Sequence, residues 1–212
     1  MPSSQMLTSV TVQETPLSDM AILDPRVFED TRGYFLESYN ERELAEAGFG
    51  KRFVQDNHSY SVRNVVRGLH YQIRYPQGKL VRVVVGEILD VAVDLRLSSS
   101  TFGKWHAVTL SGQNKRMLWV PPGFAHGFRV LSDEGAHVLY KATDFYHPEC
   151  ERTILWNDPD LNIDWRLDDP PIVSPKDLSG SVLGESEKFG DESWAGKIRA
   201  NQSELVHASP AA

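Results

Sequence analysis

The sequence between residues 80 and 145 is divided at short, regular intervals by turn-forming residues. The breaks are Gly86-Glu87, Pro121-Pro122-Gly123 and Asp133-Glu134-Gly135, and the segments between them are rich in β-branched and aromatic residues. Many short strands with this punctuation predict a β-barrel or a two-sheet sandwich. We further expect residues 80–85 and 88–97 to pair as a hairpin around the first break.

The ends of the chain are less regular. Residues 1–15 predict a loose arm or an edge strand. One short helix is expected with Asn40 as its N-cap, Glu43 in the capping-box position and Gly48 as its stop. We assign residues 1–180 to a single domain and residues 181–212 to a C-terminal tail, partly helical near 194–205.

Composition narrows the class of function. A chain of 212 residues suits one sizeable core, and 22 Lys and Arg against 29 Asp and Glu give a formal charge of -7. This charge argues against general binding of nucleic acid or anionic membranes, so an anionic ligand needs a local basic cluster. The single Cys150 suits a reducing compartment, and no signal peptide or long apolar span is visible. We therefore expect a cytoplasmic protein.

Three polar residues share strand faces with apolar neighbours. Residues two apart on a strand point to the same side, which directs Lys79, His126 and Tyr140 toward the apolar interior. Each alone has a structural explanation: a snorkelling lysine, a core histidine bonded to backbone, or a tyrosine at the barrel rim. Together, three polar groups from separate strands indicate a ligand pocket.

His70 lies at the centre of a polar run, residues 53–79. A lone histidine in a strand is more often structural, but its polar neighbours favour a chemical role. These neighbours are Gln55, Asn57, Arg67 and Lys79. Alternation places Arg67 on the opposite face from His70, so a β-bulge at Gly68 is predicted if both serve one site.

Other chemistries find little support in the sequence. There is no Cys-x-x-Cys, His-x-His or His-Glu-x-x-His motif, so a metal would have to use scattered groups such as His70, His126 and carboxylates. We expect no metal. A glycine-rich phosphate loop and a nucleophile elbow are also missing. The remaining histidines are interpreted as surface or structural: His58, His106, His137, His147 and His207.

Between residues 24 and 177 the chain resembles the dTDP-4-dehydrorhamnose 3,5-epimerase family. The blocks occur in family order: DTRGYFLESY, VQDNHSYS, VVRGLHYQ, QGKLVRVVVGEILDVAVDLR, FGKW, LWVPPGFAHGF, Tyr140-Lys141 and WNDPDLNIDW. The resemblance implies an all-β, cupin-type jelly-roll barrel with a few short helices, active as a homodimer. PPGFAHGF is similar to the second cupin motif, whereas the metal-binding histidine pair of the first is absent, which implies catalysis without metal or cofactor.

The resemblance also implies a reaction and its residues. It predicts inversion of C3 and C5 of dTDP-4-dehydro-6-deoxy-D-glucose, through enolates, to give dTDP-4-dehydro-L-rhamnose. His70 would be the base and Asp177 its partner in a dyad. The chemistry also requires an oxyanion stabiliser and an acid on the opposite face, roles that suit Lys79 and Tyr140.

The nucleotide end of the substrate follows from the same resemblance. Arg67 and Arg32 resemble diphosphate ligands, with Arg32 reaching across from the partner subunit. Tyr146 resembles the aromatic residue that stacks on thymine. The remaining substrate-contact positions are Glu37, Gln55, Asn57, His126, Glu151 and Lys176.

Three alternatives stay open at this point. One is a relative that inverts a single centre of a related dTDP-4-keto-deoxysugar. The others are a metal-dependent cupin oxygenase or isomerase and a catalytically inactive sugar-nucleotide-binding module. The preference for dTDP over other nucleotides rests on the resemblance alone.

Overall fold

The computed structural model describes residues 10–190, which are built almost entirely from short strands. Two short α-helices and a 3-10 turn at Pro148–Cys150 accompany them. The strands are β1 (Val10–Glu14), β2 (Ala21–Pro25), β3 (Val27–Asp30), β4 (Gly33–Leu36), β5 (Gln55–Ser61), β6 (Val65–Gln72), β7 (Lys79–Val85), β8 (Glu87–Asp94), β9 (Trp105–Ser111), β10 (Met117–Val120), β11 (Phe124–Val130), β12 (Ala136–Ala142), β13 (Glu151–Thr153) and β14 (Ile172–Val173), and the helices are α1 (Glu41–Glu46) and α2 (Pro175–Leu178).

Twelve of the described strands form two facing sheets, and β3 and β4 pair with each other as a separate hairpin. The first sheet has the order β1-β2-β10-β7-β12-β5, and the second has the order β13-β6-β11-β8-β9, with β14 also paired to β6. From β10 to β12 successive strands alternate between the sheets, so their connections cross from one layer to the other. The predicted all-β jelly roll with a few short helices is confirmed.

The predicted hairpin of residues 80–85 and 88–97 is wrong. Strand β7 pairs with β10 and β12 in the first sheet, whereas β8 pairs with β9 and β11 in the second. Gly86, at φ +79°, carries the chain between the layers, and a Cβ there would lie 2.0 Å from the Gly135 carbonyl oxygen. Apolar alternation reports which face of a strand is buried, but not which strand lies beside it.

The interior between the sheets is the main apolar core. On β8, Ile88 and Ala92 face this interior, while Leu89 and Val91 pack on the outer side of the second sheet. The outer side is covered by the chain after β13, from Ile154 onward. Alternation along β8 therefore separates two cores, and any polar residue with the parity of Ile88 points between the sheets.

The helix prediction around residue 40 is confirmed. The Asn40 side chain accepts hydrogen bonds from the backbone N–H groups of Arg42 (3.1 Å) and Glu43 (3.3 Å). Gly48 follows the helix at φ +89°. Within the predicted N-terminal arm or edge strand, residues 10–14 form β1 at the edge of the first sheet.

The chain continues to pack against the barrel beyond residue 180, where we placed the start of the tail. The Leu97 N–H donates to the Phe189 carbonyl (3.0 Å), and the Phe189 N–H donates to the Leu95 carbonyl (3.1 Å). Phe189 is buried with the outer core of the second sheet. The helical character predicted near 194–205 lies outside the described residues.

Candidate active site

A cleft at the mouth of the barrel collects polar side chains from both sheets. The predicted site residues His70, Lys79, Tyr140, Tyr146 and Glu151 all line it. Other lining residues are Tyr71, Gln72, Pro76, Gln77, Gly123, Phe124 and Phe189. Polar groups converging in one cleft at the end of an apolar barrel form the usual setting of a small-molecule site.

His70 is paired with a buried carboxylate. Its Nε2 lies 2.6 Å from Oδ1 of Asp177, which is 4% exposed, while His70 is 27% exposed. The N–H of Asp177 donates to the Ser174 hydroxyl oxygen (3.1 Å), the N-cap of α2. Burial by itself would raise the pKa of Asp177, but the hydrogen bond and charge of His70, together with hydrogen bonds from Gly68 and Ser174, lower that pKa.

A charged Asp177 fixes the tautomer of His70. An ionised carboxylate only accepts hydrogen bonds, so Nε2 of His70 carries the proton between them. The other ring nitrogen, Nδ1, is left with its lone pair in a residue that lines the cleft. The pair is therefore chemically equipped to take up a proton at Nδ1 and to stabilise the resulting imidazolium.

The predicted bulge at Gly68 is confirmed. On β11, His126 faces His70 and Phe128 faces Arg67, so two steps on β11 correspond to three on β6. Gly68 has φ +115°, and a Cβ there would lie 2.6 Å from the Gly127 Cα. The bulge puts Arg67 and His70 on the same face of the strand. The exposed Arg67 side chain donates to the Ser61 hydroxyl oxygen (2.9 Å).

Lys79 and Tyr140 lie beside each other in the first sheet. The Lys79 Nζ is 6.0 Å from the centroid of the Tyr140 ring. Burial lowers the pKa of Lys79 to about 8, although the negative charges of Asp90 and Glu151 oppose this change. Burial, reinforced by the charge of Glu151, raises the pKa of Tyr140. At neutral pH the lysine is therefore mostly cationic, and the phenol keeps its proton.

His126 faces the interior as predicted, but it bonds to a carboxylate that our sequence analysis missed. Its Nε2 lies 2.8 Å from Oδ1 of Asp90, and both side chains are buried. Among residues 10–190, Oδ2 of Asp90 has no hydrogen-bond partner. His126 does not line the cleft itself, so its contact with substrate stays a prediction.

The lip of the cleft is a continuous hydrogen-bonded network. Glu151 accepts from the Tyr146 hydroxyl (2.7 Å) and from Lys176 Nζ (2.5 Å) on the same oxygen. The Tyr146 N–H donates to Gln55 Oε1 (3.0 Å), and Gln55 Nε2 donates to Asn57 Oδ1 (3.0 Å). The hydrogen bond to Glu151, with burial, raises the pKa of Tyr146 to about 12. Five predicted contact residues therefore form one connected group.

Sequence comparison identifies the family of the chain. The family model for dTDP-4-dehydrorhamnose 3,5-epimerase matches residues 14–185. The chain belongs to this family. The dTDP-4-dehydrorhamnose 3,5-epimerase of Pseudomonas aeruginosa is 58% identical over 174 residues, which cover 82% of this chain and 96% of that protein. The predicted resemblance, and with it the class of isomerases that epimerise sugars, is confirmed.

Structural comparison gives the same family. The crystal structure of the Legionella pneumophila dTDP-6-deoxy-D-glucose-3,5-epimerase in complex with dTDP-4-keto-L-rhamnose is 49% identical with a TM-score of 0.81. The match covers 84% of this chain and 95% of that one. A lower similarity is found to the dTDP-4-dehydrorhamnose 3-epimerase of Streptomyces niveus, 39% identical over 170 residues, covering 79% of this chain and 81% of that protein.

The predicted substrate contacts that do not line the cleft within the single chain are Arg32, Glu37, Gln55, Asn57, Arg67, His126 and Lys176. Arg32 lies in the turn of the β3-β4 hairpin, 88% exposed, and pairs with Asp30 (2.5 Å). Glu37 accepts from the Asn40 side chain (3.0 Å). The hairpin exposes three aromatic residues: Phe28, Tyr34 and Phe35.

Sequence reasoning missed several residues of this epimerase-family site, including Gln72 and Phe189, which line the cleft, and Asp90, which pairs with His126. Gln72 shares the parity of His70 on β6, and Asp90 is a lone carboxylate within the apolar run 88–93, so both carried a usable signal. Phe189 carried none, because it lies in a segment without strand periodicity and reaches the cleft only through tertiary packing.

Residues 10–190 contain neither a candidate metal site nor a candidate membrane-spanning helix. Within residues 10–190, no group of three or more His, Cys, Asp or Glu side chains is arranged to hold a metal ion. The part of the chain that the structure describes also has no helix long and apolar enough to cross a membrane.

Proposed function

We propose that this protein inverts C3 and C5 of dTDP-4-dehydro-6-deoxy-D-glucose and releases dTDP-4-dehydro-L-rhamnose. The observation that carries the proposal is the hydrogen bond between His70 and Asp177 in a cleft also lined by Lys79 and Tyr140. Family membership supplies the substrate class, since relatives up to 58% identical are named for this reaction.

The reaction requires a base because protons next to a ketone are acidic only through the enolate. C3 and C5, the two carbons bonded to the C4 carbonyl carbon, each carry such a proton. In our proposal Nδ1 of His70 removes it, and Asp177 stabilises the imidazolium that forms. A positioned general base contributes about 100- to 10,000-fold to the rate.

Inversion then requires a charge stabiliser and a second proton donor. Lys79 is the fixed cation for the C4 oxygen, whose negative charge grows as the enolate forms. Tyr140 reprotonates the carbon from the face opposite His70, and its raised pKa keeps the phenol protonated until that step. A proton returned by His70 regenerates the starting configuration, which gives exchange with solvent but no inversion. A proton delivered by Tyr140 to the opposite face inverts the centre.

The nucleotide end is assigned to the lip of the cleft. Tyr146 offers a half-exposed ring for stacking on the base, and Arg67 offers a guanidinium for the diphosphate. Arg32 of the partner subunit completes the phosphate site in a homodimer. The exposed aromatic residues of the β3-β4 hairpin support a contact between two copies of the chain. The cytoplasmic location and the lack of nucleic-acid binding stay predictions.

Proton NMR of the substrate with the enzyme in deuterated water tests the proposal. We expect deuterium at both C3 and C5 together with the rhamno-configured product. Deuterium and inversion at one carbon alone would favour the single-centre alternative, which the similarity to the Streptomyces niveus 3-epimerase keeps relevant. Absence of both exchange and product would overturn the proposed function.

A further inference from the structure

Gln72 is a buried amide whose hydrogen bonds all go to neighbouring loops. It ends β6 two residues after His70 and is 4% exposed. Its Nε2 donates to the carbonyls of Tyr75 (2.7 Å) and Phe145 (3.2 Å). Its Oε1 accepts from the His147 N–H (2.7 Å). Both hydrogens of the amide and one lone pair are therefore used to bind backbone.

Two of these bonds flank Tyr146. The Phe145 carbonyl precedes Tyr146 and the His147 N–H follows it, and the Tyr146 N–H itself donates to Gln55 (3.0 Å). Polar backbone groups of three consecutive residues are thus held by two glutamine side chains from different sheets. A loop held in this way presents its central side chain in one direction.

The hydroxyl end of Tyr146 is fixed as well. It donates to Glu151 (2.7 Å), which lies directly opposite Gln72 in the pairing of β13 with β6. On the other side of Gln72, the rings of Tyr75 and His147 stack with centroids 4.4 Å apart. Gln72 therefore joins the two loops at the lip of the cleft to the strand that carries His70.

Loss of the Gln72 amide would free the loop without touching the cleft's charges. An apolar side chain of the same length would leave the Phe145 carbonyl and the His147 N–H without partners, and buried unsatisfied groups drive local rearrangement toward water. The segment would then sample several orientations of Tyr146, and binding would have to select one of them.

We propose that Gln72 is a positioning residue that holds Tyr146 in the orientation needed to stack on the nucleobase of a dTDP-sugar. This inference rests on the proposed function, and it adds a specific residue for binding the nucleotide half of the substrate. It separates the two halves of the site: Gln72 acts on nucleotide affinity, whereas His70 on the same strand acts on the chemical step.

The test is the Gln72→Met variant, measured for KM, kcat and the Kd of dTDP by calorimetry. We expect KM and Kd to rise on the order of tenfold, because the variant loses part of the binding free energy of one base-aromatic stack. The kcat should stay within about twofold of the wild-type value. The matched control is Gln113→Met, at an exposed turn position, which should leave all three values unchanged. If Gln72→Met fails to fold, Gln72→Glu serves, since it keeps the acceptor for His147 but not the donor.

A double-mutant cycle with Tyr146→Ala shows whether Gln72 acts through the ring. If it does, Gln72→Met should add less than about twofold to the Kd of dTDP in the Tyr146→Ala background. Independent, multiplying losses would overturn the inference, as would a variant with a lower melting temperature but unchanged KM and Kd. A fall in kcat at constant KM would also overturn it. A wild-type protein that turns over no dTDP-sugar and binds no dTDP would overturn the proposed function instead, and this inference with it.

Discussion

Nε2 of His70 lies 2.6 Å from the buried carboxylate of Asp177, although the two residues are 107 positions apart in the chain. This contact assigns the ring proton to the side facing Asp177 and leaves Nδ1 as the basic nitrogen. In the proposed mechanism His70 is then the base and Asp177 its partner, while Lys79 stabilises the enolate and Tyr140 donates the second proton. Each of these roles can be tested by its own variant.

The sharpest prediction separates His70 from Tyr140. His70→Ala should abolish both epimerisation and exchange of substrate protons with deuterated solvent, because no enolate forms. Tyr140→Phe keeps the ring but removes the proton donor, so exchange should continue from the face of His70 while inversion is lost. Proton NMR of the substrate measures both. Nearly normal epimerisation by Tyr140→Phe would remove Tyr140 from the mechanism.

Asp177→Asn should reduce kcat by about 100- to 10,000-fold while the cleft keeps its shape. The amide can donate to Nε2, which favours the tautomer with its proton on Nδ1 and removes the base. A steady-state assay measures this loss, with Asp133→Asn on an exposed turn as the control. A kcat within threefold of the wild type would exclude the dyad.

The same variant gives a pH-dependent difference in stability. Because the pKa of Asp177 is lowered in the folded protein, its charge stabilises the fold above the ordinary carboxyl pKa. That contribution is lost as the pH falls through the lowered value. Urea unfolding should therefore show wild type more stable than Asp177→Asn by about 1–3 kcal/mol at pH 7, with the gap narrowing below the ordinary carboxyl pKa of about 4. A gap independent of pH would contradict the lowered pKa.

The lowered pKa of Lys79 predicts that activity falls at alkaline pH. Its pKa of about 8 in the substrate-free protein means that the cation is lost as the pH rises through that value, so kcat/KM should fall above it. Asp90→Asn removes the charge that supports the lysine and should move this limb to lower pH. Lys79→Arg should move it upward if the larger group fits. A pH profile of kcat/KM tests the assignment, and an identical alkaline limb in Asp90→Asn would contradict the coupling.

Catalysis should need no metal. The sequence has no His-x-His motif, and acid-base groups are available for every proposed proton transfer. We expect full activity after exhaustive chelation and dialysis, measured beside an untreated sample. A stoichiometric metal whose removal abolishes turnover, and whose return restores it, would establish the metal-dependent alternative.

The protein should be a homodimer whose phosphate site uses both subunits. Arg32 is 88% exposed in the single chain, beyond the cleft that it is predicted to serve. Light scattering at micromolar concentration should give twice the chain mass. Mixing inactive Arg32→Ala with inactive His70→Ala should restore part of the activity, because one site of the mixed dimer then has both intact residues. A fully active monomer would contradict this arrangement.

Much of the site was predictable because strand alternation is a local property. The parity of Lys79 and Tyr140 with their apolar neighbours directed both into the barrel, and both line the cleft. The mismatch in parity between Arg67 and His70 required an extra residue, and the glycine between them supplied it. The Asn40 cap likewise depends on groups within three positions of it.

The sequence by itself determined which residues face inward, where the chain turns and, through its ordered motifs, the family and the candidate reaction. Only the tertiary structure decided which strands lie side by side, since β7 and β8 join different sheets across Gly86. It also paired His126 with Asp90 and brought Phe189 to the cleft. The physical reason is the distance along the chain over which each property is set. Alternation arises from each residue's own backbone geometry, whereas sheet order depends on hydrogen bonds and packing between distant segments.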